Sequence, residues 1–344
     1  MIRIRICASL LALAGLSVGA IAPATAELLH LWDFNAGNEM ADSVGTLDLN
    51  PAPGEGSVTI DDNGTPGDTS DDVVVTGTAG DIIFEPGYMG VGQAFRPYYV
   101  DSSQSSTAGA GLTGKITIDD NGTPDDTGDD IITDGFASPN QFTIETIVRV
   151  DAKTTGSAVN YIFQTRPGSD RGYYLIQDED NVGAGSTGGV GSIIGNNFGD
   201  VGIGAEYDTE GTWLYYAAVI DLTSTPGQAV ADVYAADLSA GETIPTLILN
   251  DRTWNSADPS ALAGVPGIFG IGGFAIDRDG DGIAEASQEW FQGAIDYIAI
   301  YDGLLTADDL AVNLEGRRVP EPTSLVLLAL GATLWAGARR FKVR

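Results

Sequence analysis

The chain has 344 residues, with 48 acids against 16 basic residues, one histidine, one cysteine and a formal net charge of −32. Such a surface repels nucleic acid and anionic lipid head groups, and it attracts divalent cations or simply keeps the protein soluble. The lone Cys7 lies near the N-terminus, so the rest of the chain can form no disulfide framework, zinc–thiolate cluster or thiol nucleophile.

In chain order, residues 1–26 come first. Arg3 and Arg5 precede an apolar run to about Ile21, followed by Ala24-Thr25-Ala26. A basic start, an apolar centre and small residues before the cut predict a secretory signal peptide, cleaved after Ala26. Its loss, with that of Arg339, Arg340, Lys342 and Arg344 from the far end, removes no acid and leaves a charge of about −38.

Residues 27–316 read as all-β. Alternating or β-branched runs recur at 28–34, 142–150, 160–165, 172–177, 213–221, 229–236, 246–250, 267–276 and 291–302, punctuated by Gly, Asn, Asp and Pro. This predicts one jelly-roll β-sandwich of two antiparallel sheets, with the N-terminal strand beside the late strand "AIDYIAIY". Helical periodicity is confined to 306–314, where Thr306 is placed to cap a short helix with Asp308 and Asp309 in its first turn.

Two acidic phrases interrupt this pattern. "TIDDNGTPGDTSDD" (59–72) and "TIDDNGTPDDTGDD" (117–130) are identical at twelve of fourteen positions. Each is flanked by short β-branched runs, "SVTI" and "DVVVTG" around the first, "KITI" and "DIITDG" around the second. They predict two copies of one exposed hairpin, inserted at about 51–84 and 105–138. At calcium-loop spacing the oxygen ligands would be Asp61, Asn63, Thr65, Thr69 and Asp72 in the first copy. In the second they would be Asp119, Asn121, Thr123, Thr127 and Asp130. Pro66 and Pro124 replace the glycine that such a turn needs, and a solvated acidic loop is the alternative.

The stretch "DRDGDGIAEASQE" (277–289) carries the stronger metal pattern. Asp277, Asp279 and Asp281 alternate, Gly282 permits a sharp turn, and the Ile283 carbonyl with Glu285 or Glu289 can complete a calcium shell. Gln288 stands at the twelfth position and no helical pattern flanks it, so the expectation is a calcium loop between strands rather than an EF-hand.

Catalytic patterns are thin. A serine triad would have to be built on His30, which sits among Leu28, Leu29, Leu31 and Trp32 in a strand pattern. No strand carries closely spaced glutamates around an aspartate, as a two-carboxylate glycosidase would need. Exposed aromatics could carry a sugar platform, and Trp254, in the polar "NDRTWNSADPS", is the best candidate ligand-binding residue.

The C-terminal stretch 317–344 holds Pro320-Glu321-Pro322, an apolar run at about 323–338 and a basic end. That run is at the short limit of a transmembrane helix, with its basic end on the cytoplasmic side. It resembles the PEP-CTERM sorting signal of Gram-negative bacteria. The resemblance implies a transient inner-membrane anchor, processing by an exosortase-type membrane protease, and an exopolysaccharide or biofilm context. A second resemblance spans 27–316. "LLHLWDFNAGNEMADSVG", "GVGQAF", "FTIETIVRVDA", "WLYYAAVID" and "FQGAIDYIAIYDGLLTADDL" follow one another as in LamG-like, concanavalin A-like domains. It implies a sandwich of two curved sheets, and the fold alone names no activity.

The expected function is therefore an exported, non-catalytic cell-surface or matrix protein that binds a glycan or a partner with the help of calcium. A purely structural matrix component and a glycan-processing enzyme on the concanavalin A-like fold are the alternatives.

Overall fold

In a computed structural model of the chain, the described residues are 26–53, 57–60, 73–76, 82–99, 109–114, 117–119, 131–133, 135–151, 159–166, 173–178, 189–194, 201–202, 210–225, 228–254, 263–264, 266–276, 285–288 and 290–318. The strands run β1 Glu27–Trp32, β2 Leu49–Pro53, β3 Ser57–Ile60, β4 Val73–Thr76, β5 Ile83–Pro86, β6 Gln93–Arg96, β7 Tyr98–Tyr99 and β8 Gly109–Gly114. They continue as β9 Thr117–Asp119, β10 Ile131–Thr133, β11 Phe136–Ala137, β12 Gln141–Val150, β13 Val159–Arg166, β14 Tyr173–Asp178, β15 Gly189–Ile194 and β16 Val201–Gly202. The last group is β17 Thr212–Thr225, β18 Gln228–Asp237, β19 Thr246–Trp254, β20 Pro266–Ile271, β21 Phe274–Ile276, β22 Glu285–Gln288 and β23 Gly293–Asp302, followed by helix α1, Ala307–Arg318. A 3-10 turn, Tyr88–Gly90, joins β5 to β6.

The strands build two main antiparallel sheets. The first has the order β19-β18-β17-β12-β23-β6-β5, with β1 also on β23; the second has the order β16-β15-β14-β13-β20-β8-β2, with β11 on β20 and β7 on β8. This is the expected sandwich. The first strand pairs with the late strand as anticipated, from Glu27↔Asp302 to Trp32↔Ile298. Alternation explains the core. On β12, Phe142, Ile144, Val148 and Val150 face the second sheet and join Phe163, Phe269, Ile271, Ile298 and Ile300, all buried. Each such side chain contributes about 1.5–3 kcal/mol by leaving water.

The outer face of the first sheet is not left to solvent. Ile147, Tyr215, Ala217, Tyr297, Ala299 and Tyr301 form a second buried cluster there with Leu305, Leu310 and Leu314. Helix α1 thus supplies a third layer. Its start is closed as the sequence implied: Thr306 Oγ1 accepts from the Asp309 backbone N–H, while Asp309 Oδ2 accepts from the Thr306 N–H and hydroxyl. The helix runs to Arg318, past the 306–314 expected from periodicity.

Three further details differ from or refine the sequence reading. The run 267–276 is not one strand: Gly272, at φ +77, breaks it, and β21 turns away to pair with β22 over the second sheet. Leu49–Pro53 and Gly109–Gly114, which lack β-branched alternation, are paired strands of the second sheet. Around the two acidic phrases, β3 pairs with β4 and β9 with β10 as separate two-stranded ribbons, outside both main sheets.

Candidate functional site

Most of the sequence-predicted site residues lie outside the described part of the chain. This holds for Asp277, Asp279, Asp281, Ile283 and Glu289, for Asp61, Asn63, Asp72, Asn121 and Asp130, and for Pro320, Glu321 and Pro322. Asp119 ends β9 opposite Ile131, and Glu285 begins β22 opposite Ile276. Trp254 ends β19 opposite Ala229, with its side chain outside the description. Among the described residues, no group of three or more histidine, cysteine, aspartate or glutamate side chains could hold a metal ion, and no helix is long and apolar enough to cross a membrane.

The described residues contain a pocket that sequence reading missed. It has a volume of about 410 Å³ and is lined by Asp33, Asn35, Tyr88, Val91, Gly92, Gln93, Asp296, Tyr297, Gly316 and Arg317. That volume falls in the range of about 300–1,000 Å³ usual for small-ligand pockets. Its position follows from a shared edge. β1 covers β23 from Ile298 to Asp302, whereas β6 meets it at Ile295, so a gap opens between them opposite residues 296 and 297. In that gap β23 carries a bulge. Ile147 of β12 faces Tyr297 and Val148 faces Ile295, leaving Asp296 without a partner on β12. An extra residue in one strand re-aims its side chain, and here it turns a carboxylate into the gap.

The walls are held by strained backbone. Phe34 (φ 48) and Met89 (φ 57) are the non-glycine residues with positive φ among those described. The Phe34 ring is buried against Phe84 and Phe95, so its two neighbours, Asp33 and Asn35, are left to line the pocket. Met89 follows Tyr88, whose backbone N–H donates to Asp296 Oδ1 at 2.8 Å. Left-handed backbone at a bulky residue costs on the order of 1–3 kcal/mol and persists where the surrounding structure holds it, often at functional sites. A Cβ on Gly87 would collide with Asp296 Oδ1, which is why that turn comes so close.

Charge in the pocket is unevenly compensated. Burial raises the Asp296 carboxyl to about 7, with Asp33 adding to the rise and the Tyr88 N–H and Arg317 opposing it. Arg317 is half-buried with its guanidinium 4.3 Å from the Tyr297 ring centre, and no carboxylate of the described residues lies within ion-pair distance. Gln93 Oε1 is buried without a hydrogen-bond partner. The nearby Arg149 and Arg96 contrast with Arg317. Arg149 pairs with Glu85 and Asp151 at 2.6 Å each, and Arg96 reaches Asp151 at 3.1 Å, so these cations are spent on one another's acids.

Beneath α1, next to the pocket, lies a closed polar network. Glu145 is fully buried on β12 and accepts from the hydroxyls of Tyr215 and Tyr301 at 2.8 Å and from Asn313 Nδ2 at 3.2 Å. Burial raises its carboxyl despite these bonds. The network fastens the helix, and with it Arg317, to the sheet. His30 is likewise structural: its Nδ1 meets Asp42 Oδ2 at 2.6 Å, its ring stacks on Trp32, and Asp42 also accepts backbone N–H bonds from Leu31, Gly45 and Leu47.

No family model matches the chain, and no curated protein matches it. Solved structures do. Domain 4 of AbnA, an extracellular arabinanase from Geobacillus stearothermophilus solved with arabinotriose, is similar over 84% of this chain and 98% of its own, at 17% identity and a TM-score of 0.47. The botulinum neurotoxin serotype D binding domain is similar over 85% of this chain at 11% identity and a TM-score of 0.43, and the match spans 51% of that structure. The SAP-like pentraxin of Limulus polyphemus is similar over 52% of this chain and 70% of its own, at 16% identity and a TM-score of 0.32.

Proposed function

We propose that the chain is an exported, non-catalytic glycan-binding protein of the cell surface or extracellular matrix. The observation that carries this reading is the pocket between β1 and β6. Its lining of Asp33, Asn35, Gln93, Asp296 and Arg317 mixes hydrogen-bond donors and acceptors, and Tyr88 and Tyr297 add aromatic surface. Sugars present hydroxyls that both donate and accept beside apolar ring faces, so this mixture matches them. Calcium assists binding through the acidic 277–289 stretch, where the pairing of Ile276 with Glu285 brings the two ends of the loop together. Residues 1–26 direct export, and the 317–344 region carries the sorting signal for an exosortase-type protease and a transient membrane anchor.

A glycan array probed with the purified protein, with calcium and with a chelator, tests the reading. Binding to a subset of glycans, weakened by the chelator, is the expected result. An array blank under both conditions leaves a purely structural matrix role. The intact mass of the native protein tests the export part: it is expected to begin near Glu27 and to lack the apolar tail, and an uncut C-terminus on the cell surface contradicts it.

One observation favours a second reading as a glycan-processing enzyme. Asp296, raised to about 7 by burial, lines the same pocket as Asp33, and a pair of carboxyl groups at one site, one of them raised, is the arrangement that glycoside cleavage uses. Release of new reducing ends from any array-positive glycan, lost in Asp296→Asn, would establish it in place of simple binding.

A further inference from the structure

The glycan-binding reading leaves the class of sugar open, and the state of Arg317 narrows it. We propose that Arg317 receives the carboxylate of an acidic sugar, such as a uronic acid, in the pocket between β1 and β6. The inference rests on the glycan-binding reading and adds a charge preference to it.

The argument begins with the cation. A guanidinium carries five N–H donors in a fixed fork that matches a carboxylate with two parallel bonds. In a chain with three times as many acids as basic residues, the described cations Arg96 and Arg149 are both held by carboxylates. Arg317 is not, although Asp33, Glu145 and Asp296 are all near enough for their charges to couple with it. It is instead held over the Tyr297 ring, with one bond to the Tyr301 hydroxyl, at the end of a helix that Leu310, Leu314 and the Asn313–Glu145 bond pin to the sheet. A positioned guanidinium on a pocket wall, with donor capacity left over, is a receptor for an oxyanion. The rest of the lining suits the remainder of a sugar: Asn35 and the orphaned Gln93 carbonyl face hydroxyl chemistry, and the tyrosines supply ring surface.

The acids of the pocket set the condition for entry. The groups facing Asp296 are Asp33 from the segment after β1, Tyr88 from the turn before β6, Tyr297 on its own strand and Arg317 from α1. When Asp296 is protonated, it can donate a hydrogen bond to the ligand. When Asp296 ionises, its carboxylate repels the incoming one and competes with it for Arg317. The overall negative charge does not decide the matter, because at physiological salt it is screened beyond about 8 Å. Acidic-sugar binding is therefore strongest on the acid side of neutrality.

The test uses the full-length chain in a chelator-containing buffer, so that calcium cannot bridge the acidic loops to a polyanion. Galacturonate, mannuronate and glucuronate oligomers are titrated beside their neutral methyl esters, at about pH 5.5 and about pH 8.5, on either side of the Asp296 transition. At least one acid oligomer is expected to bind at the lower pH about tenfold or more tightly than its ester, and to weaken by a similar factor at the higher pH. Arg317→Gln is expected to abolish the preference for acid over ester, so that the two bind with equal affinity. Arg317→Lys, which keeps the charge without the fork, retains part of it. Asp296→Asn is expected to bind the acid equally at both pH values. Thermal midpoints of the variants confirm that each is folded. Equal binding of acid and ester, or an acid preference that survives Arg317→Gln in a folded protein, overturns the proposal. Neutral glycans binding while every uronate fails overturns it alone; failure of acidic and neutral glycans together overturns the underlying reading as well.

Discussion

Asp296→Asn is expected to stabilise the protein above neutral pH and to remove part of its loss of stability between about pH 4 and pH 7. The carboxyl is raised from 3.8 to about 7 in the folded state, chiefly by burial. Folding therefore favours the protonated acid. That stability is fully present below the unfolded value and is lost as pH rises through the folded one. The difference corresponds to an opposing contribution on the order of 4 kcal/mol at alkaline pH. Asparagine keeps an oxygen for the Tyr88 N–H, which donates to Asp296 at 2.8 Å, and carries no charge to bury. Urea unfolding of both proteins at several pH values measures the effect. A residual slope of the same sign is expected in the variant, because burial also raises Glu145. Asp42 acts in the opposite direction: its carboxyl is lowered to about 2, net of a burial effect that works against the bonds from His30 and backbone N–H groups. Its contribution is present above its unfolded value and lost as pH falls towards 2. Parallel pH curves for the parent and Asp296→Asn would show that the bulged carboxyl is solvated.

Trp32→Ala is expected to cost about 3–5 kcal/mol, with a further loss of about 1–3 kcal/mol if the Leu47 carbonyl is left unpaired. Trp32 is fully buried at the end of β1, where its Nε1 donates to Leu47 O at 2.8 Å. Its ring lies 5.6 Å from Phe269 and 6.2 Å from Phe163, and stacks on His30. It thus joins the first sheet to the second and ties down the turn that Asp42 organises. Domains of this kind have about 5–15 kcal/mol in hand, so the substitution is expected to bring the protein close to unfolding at body temperature. Trp32→Phe, which keeps most of the volume and loses the indole bond, should cost less than half as much in a denaturant titration. Equal losses for the two variants would mean that the hydrogen bond, rather than the packing, dominates.

Local pattern made part of this architecture legible. The apolar and β-branched runs at 142–150, 213–221 and 291–302 announced β12, β17 and β23, because a strand buried on both faces reads as a near-continuous apolar run. The Thr306–Asp309 spacing announced the start of α1, because a cap needs side chains only one helical turn apart. Leu49–Pro53 escaped notice because its two prolines weaken the strand pattern, and its place at the end of the second sheet is what tolerates them. The break at Gly272 escaped because an apolar run looks the same whether it stays in one sheet or turns out of it.

The sequence by itself determined the class of fold, the acid-dominated surface and the short capped helix, all of which depend on composition or on residues within a turn or a strand of one another. Tertiary structure decided the site. Glu145 and Ile147 occupy outward positions on β12, which in a bare two-layer sandwich would face solvent; they are buried because α1, from the far end of the chain, lies over them. Asp296 reads as one more polar residue in an alternating strand, and only its pairing with β12 reveals the bulge that gives it no partner there. Asp33, Gln93, Asp296 and Arg317 come from four segments with no shared motif. They meet because β1 and β6 divide one edge of β23 between them, and a gap between two strands exists only once both have docked.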